Sequence, residues 1–104
     1  MSQFKTIEDF KSSLSHAEPP RELSLQLNSL WYDAKGEWDL AHMAVQDATD
    51  AFSAQIHAYL HRKEGDQGNA DYWYRRSGTS RPRLSLEEEW AELVRHGVQI
   101  DTGL

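Results

Sequence analysis

His57, His61 and Glu64 are spaced four and three residues apart, so on a helix the two imidazoles project to one side with a carboxylate one further turn along. Imidazole nitrogens and a nearby carboxylate are donors that zinc or iron accepts, with Glu64 as a third ligand or as the group that orients a histidine. The motif is minimal. Ala58 follows His57, which rules out the HExxH metalloprotease pattern, and there is no second Glu-x-x-His of the di-iron kind. A second set of reactive side chains lies just beyond, where Tyr72, Trp73 and Tyr74 precede Arg75 and Arg76, with Arg62 and Lys63 across a glycine turn. Rings interleaved with guanidinium groups can clamp a small anion or stack on a planar partner. Three consecutive helical residues sweep about 200°, so at least one of the three rings is expected at the surface. His42 falls on the flank of an apolar stripe and reads as a hydrogen-bonded packing residue.

Several chemistries find no support in the sequence. The 104 residues include no cysteine, which removes thiolate nucleophiles, cysteine-bound metals and disulfides. The Gly65 to Gly68 turn is too short, and lacks the preceding strand, for a dinucleotide-binding loop. No nucleophile with an oriented base stands out, so no catalytic residue is assigned and no cofactor is expected. The net charge of −6 is unevenly spread: residues 1–60 carry −5, residues 61–83 carry +3 and residues 84–104 carry −4. The basic island can meet a small anion or an acidic partner, while its acidic flanks repel a long polyanion and argue against nucleic acid. No apolar run approaches the roughly 18 residues of a membrane span, and the first residues lack the apolar core of a secretion signal. A cytoplasmic protein is the expectation.

The elements that must position these residues are helical throughout, giving an all-α fold of four to five helices packed as αα-hairpins in one domain over 1–104. Thr6, with Asp9 three residues on, starts a helix over about 6–15 carrying Phe4, Ile7, Phe10 and Leu14 on one stripe. Pro19 and Pro20 break the chain and separate this N-terminal part, 1–20, from the next. Leu23, Leu27, Leu30, Trp31 and Ala34 then mark an amphipathic helix ending near Gly36. From Glu37 to Glu64 there is neither glycine nor proline, which predicts one continuous central helix of roughly 26 residues, near 40 Å long, stopped by Gly65. Its apolar face is Trp38, Ala41, Val45, Ala48, Phe52, Ile56 and Tyr59. Asp39, Asp50, His57, His61 and Glu64 fall opposite, where solvated residues belong. Asn69 is the candidate cap of a short helix over Ala70 to Ser77, with Ala70, Trp73 and Tyr74 inward and Gly78 as its stop. This completes two hairpin-like units over 21–78. In the remaining segment, 79–104, a loop leads to a last helix opened by a Ser85–Glu88 capping box, carrying Leu86, Trp90, Leu93 and Val94, and closed by Gly97.

Self-comparison at an offset of 29 residues pairs Gly36 with Gly65, Glu37 with Asp66 and Ala41 with Ala70. Each copy reads as a helix, a Gly-acid turn, and an alanine small enough to let the next helix pack closely. With Tyr32 before the first turn and the Trp73-Tyr74 pair after the second, these residues resemble tetratricopeptide and Sel1-like repeats. The 29-residue spacing is shorter than that family's, and His61 stands where its tyrosine would. The resemblance implies antiparallel helical hairpins of a kind that commonly bind proteins. The block HAYLHRKEGDQGNADYWYRR is also similar to a signature of a small group of bacterial proteins with no assigned activity, which implies no mechanism.

Two functions follow as expectations. The first is a non-enzymatic binding module whose surface at Arg62 and Tyr72 to Arg76 meets a protein or a small anionic ligand, with the uncapped hairpins pairing as a homodimer. The second is a metal-binding protein or metal-dependent enzyme using His57, His61 and Glu64.

Overall fold

Helix boundaries are set by short polar residues that satisfy free backbone groups. The computed structural model describes residues 4–101, and among these it contains six α-helices and no strand: α1 Ile7–Ser13, α2 Leu25–Ala34, α3 Trp38–Val45, α4 Ala51–Glu64, α5 Gln67–Ser77 and α6 Leu86–Asp101. Thr6 caps α1 by accepting the Asp9 N–H, and Ser24 caps α2 by accepting that of Leu27. At α6 the capping box is complete in both directions, with the Ser85 hydroxyl on the Glu88 N–H and the Glu88 carboxylate on the Ser85 N–H.

The central segment is not one helix. Between Val45 and Ala51 the chain leaves helical geometry, and Asp50, in an extended conformation, caps α4 by accepting the Ser53 N–H at 2.9 Å. The Gln26 amide holds that corner by donating to both the Asp50 carboxylate and the Ser53 hydroxyl. An N-cap is a stronger interruption here than the absence of glycine and proline suggested. The same chemistry moves the start of α5: Asp66, not Asn69, is the cap, accepting the Asn69 N–H, so the helix begins at Gln67. Gly97 does not close α6, which runs on to Asp101. It is buried where α6 crosses α2, and a β-carbon there would stand 2.8 Å from Leu27 Cδ2. The part of the C-terminal tail beyond Asp101 lies outside the described residues.

The two halves of the 29-residue repeat are structurally alike. In each, a glycine with φ of +80° or +94° ends the first helix, and the acidic residue after it donates its N–H five residues back, Glu37 to the Tyr32 carbonyl and Asp66 to the His61 carbonyl, both at 2.9 Å. This closure satisfies the last carbonyls of α2 and α4 and turns the chain back on itself. Ala41 and Ala70, the small residues after each turn, are fully buried.

α4 is the centre of the molecule, in contact with α2, α3, α5 and α6. Ser53, Ala54 and every residue from Ile56 to His61 are buried, so this helix has no solvated face over its middle two turns. On one side Ile56, Tyr59 and Leu60 join Phe10, Leu27, Leu30, Trp31, Leu93 and Val94 in the main core. On another, Ala58 packs with Ala70, Tyr74 and Trp73 of α5. Two buried carboxylates tie the layers together. Asp33 accepts from the Tyr59 hydroxyl at 2.7 Å and from Lys63 at 2.9 Å. Glu89 accepts from the Tyr74 hydroxyl at 2.7 Å and from Arg62 at 2.6 Å.

Candidate functional site

Because α3 is a separate helix, it folds back along α4 and sets His42 against His57 and His61. The result is a cluster of three imidazoles drawn from two helices. His42 and His57 face each other through their Nε2 atoms at 3.0 Å, so one ring donates and the other accepts. The His57 and His61 rings stack at 4.9 Å, one helical turn apart, and His42 lies 5.2 Å from His61. One ring nitrogen of each residue lies within 4.8 Å of the others.

Tryptophans wall this cluster. Trp38, one turn before His42, stacks on that ring at 4.9 Å with 11° between planes, and its indole N–H donates to the Leu60 carbonyl of α4. Trp73 reaches in from α5 and lies flat on His57, with ring centres 3.9 Å apart. His57 is thus sandwiched between an indole and another imidazole. Its exposure is 4 % and that of His61 is 6 %, so the outer-face placement expected for both residues is corrected. The physical reason is the break after Val45: a helix flanked by α3 on one side and α5 on another buries its polar residues along with its apolar ones.

Electrostatics follow from the burial. Desolvation, reinforced by the neighbouring His42 and His61, pushes the His57 pKa down to about 4. His42 is lowered from the ordinary histidine value too, by desolvation and by His61, with Glu64 and Asp39 pulling the other way. Both rings therefore offer neutral nitrogen at physiological pH, the form that coordinates a metal. His57 Nδ1 is buried with no hydrogen-bond partner among the described residues, a cost of about 1–3 kcal/mol for an unsatisfied polar atom.

Glu64 does not point into the cluster as a third ligand. Its carboxylate accepts from His61 Nδ1 at 2.7 Å, which fixes that ring and leaves Nε2 as its free nitrogen. A carboxylate behind a histidine is the usual outer support of a metal ligand. The residue completing the trio is His42, which the sequence placed as a packing residue. Its signals were the Trp38-x3-His42 spacing, which stacks an indole on an imidazole, and the capping residue at Asp50 that turns α3 back.

The aromatic and basic set divides. Tyr74 is buried, Trp73 half-buried and Tyr72 45 % exposed, so the triplet does span from core to solvent. Arg62 is engaged within the fold by Glu89 and the Leu84 carbonyl, and Lys63 is paired with Asp33. Arg76 lies over both the Tyr72 and Trp73 rings and donates to the Tyr72 hydroxyl at 3.2 Å, while Arg75 is exposed. No helix of the described residues is long and apolar enough to cross a membrane. No family model, curated protein or solved structure matches the chain.

Proposed function

We propose that the protein binds one divalent transition-metal ion through His42, His57 and His61, with Glu64 orienting His61 from behind. The observation that carries this is the convergence of three imidazoles, those of His57 and His61 buried and that of His42 half-buried, with one nitrogen from each within 4.8 Å of the others. A tetrahedral ion at about 2.0–2.1 Å from each nitrogen holds its ligands about 3.3 Å apart. The His42–His57 pair is already near that spacing, and small rotamer adjustments bring in the third ring. Borderline-soft ions that favour imidazole, zinc first and then cobalt(II), nickel(II) or copper(II), suit an all-nitrogen donor set.

The ion would join α3 to α4, with a fourth position for water or an outside ligand. The protein's own contribution is an aromatic-walled setting that keeps His42 and His57 deprotonated and holds the rings in place. Titration of tag-free, chelator-treated protein with cobalt(II) tests this, because three nitrogens in a tetrahedral field give intense visible absorption. One ion per chain is expected, displaced by zinc and lost in His42→Gln and His57→Gln. Absence of saturable binding, or binding undiminished in both variants, would overturn the reading.

A further inference from the structure

The ring contacts of the histidine cluster extend beyond it into α5. His57 lies flat on Trp73 at 3.9 Å, the Arg76 guanidinium lies over the same α5 pair, 5.1 Å from the Trp73 ring and 5.9 Å from that of Tyr72, and Tyr72 is open to solvent. A chain of contacts, stacked at His57–Trp73 and edge-to-face at Trp73–Tyr72, thus runs from a buried imidazole to the surface.

The charge at its outer end is unbalanced. Of the basic residues between positions 61 and 83, three are used internally: Arg62 on Glu89, Lys63 on Asp33 and Arg81 on Asp71. Arg75 and Arg76 have no carboxylate partner among the described residues, and both are exposed beside Tyr72. Arginine next to an exposed aromatic ring is the composition of an interaction hot spot, and the guanidinium fork matches a carboxylate in two-point geometry. The rest of the chain is acidic, for a net −6, so a long polyanion is repelled elsewhere while a short acidic segment meets only this local positive surface.

We propose that the face of α5 formed by Tyr72, Arg75 and Arg76 docks a short acidic segment of a partner protein, and that an ion held by His42, His57 and His61 strengthens the docking. The docking stands on the surface itself, and the coupling rests on the metal reading above. An ion places two positive charges beneath Trp73. That raises the potential at the α5 surface and repels the Arg76 guanidinium outward, toward the carboxylates it would meet. Linkage requires the converse, that the acidic segment tightens metal binding by the same factor.

The test uses fluorescence anisotropy of a dye-labelled peptide of alternating glutamate and leucine, with its lysine–leucine counterpart as control, on full-length protein with and without zinc. Specific binding of the acidic peptide is expected, weakened on the order of tenfold by Arg76→Glu and by Arg75→Glu. Both side chains are exposed, and an unchanged melting temperature will show that the variants fold. Zinc should tighten binding by roughly threefold to tenfold, an effect that shrinks as salt rises. Peptide binding that ignores both arginine reversals, or preference for an oligonucleotide or an anionic vesicle, would overturn the docking. Zinc bound stoichiometrically without change in peptide affinity would overturn the coupling and leave the metal site standing. Failure of zinc to bind at all would instead overturn the metal reading.

Discussion

At the scale of residues, the molecule places titratable groups where their protonation is constrained. An unfolded histidine takes its proton near 6.5. His57 in the fold takes it only near 4, because burial and two neighbouring imidazoles oppose the charge. Between those values the unfolded chain holds a proton that the fold refuses, so the contribution of His57 is fully present above about pH 6.5 and is lost as the pH falls toward 4. The gap is worth on the order of 3 kcal/mol. His42 acts in the same direction. Urea unfolding of metal-free protein at pH 7 and near pH 4.5 should show this loss, and His57→Gln should remove most of it after the shared contribution of the carboxylates is subtracted. An equal pH dependence in parent and variant would show that the ring is not protected from protonation. The tyrosines give a second contrast. Tyr74→Phe leaves a buried Glu89 oxygen without its donor and should cost about 1–3 kcal/mol, whereas Tyr72→Phe, at the surface, should stay within about 0.5 kcal/mol in the same assay.

At the scale of elements, what the sequence made legible was governed by local chemistry, and what it hid was governed by tertiary return. Thr6, Gly65, Gly78 and the Ser85–Glu88 box act within a few residues of themselves, and each does in the structure what its type implies. The Gly36 and Gly65 turns were found by self-comparison because a left-handed residue is a local demand that glycine meets at no steric cost. The division of α3 from α4 has only Asp50 as its mark, and a single capping aspartate within a run of good helix formers is easily read as a solvated residue. Missing that break hid the site. Helical-wheel reasoning assigns one buried face per helix, and α4 has two, so His57 and His61 fell on the wrong side of the ledger. The close helix contacts were legible from residue size. Ala41→Leu and Ala70→Leu should each destabilise the fold by about 1–3 kcal/mol in chemical denaturation, since both alanines are fully buried and added methylenes force the hairpins apart. Ala34→Leu, at an exposed position of α2, is the control and should change little. Near-zero effects at Ala41 and Ala70 would mean that the hairpin partners are not in tight contact there.

At the scale of the whole molecule, the site and the fold share the same joints. α3 is the short helix of the first hairpin, begins at Trp38 with no side-chain cap from Glu37, and exposes Leu40 and Met43. Its hydrogen bonds to α4, among the described residues, are the Trp38 indole on Leu60 and His42 on His57. An ion at the three histidines would replace one neutral hydrogen bond between these helices by coordinate bonds to both. Its binding free energy then becomes folding free energy, since the unfolded chain does not bring the imidazoles together. At a zinc concentration one hundred times the dissociation constant, the stabilisation is about 2.7 kcal/mol. For a domain of this size that corresponds to a rise in melting temperature of about 10–20 °C. Hydrogen exchange localises the effect. Amides of α3, which carries His42, should gain protection first, ahead of those in α6, which carries none of the three histidines. Calorimetry and exchange with zinc, and with chelator, on the parent and on His42→Gln check both parts. A melting temperature raised equally in the variant, or protection gained in α6 but not in α3, would place the ion elsewhere on the molecule.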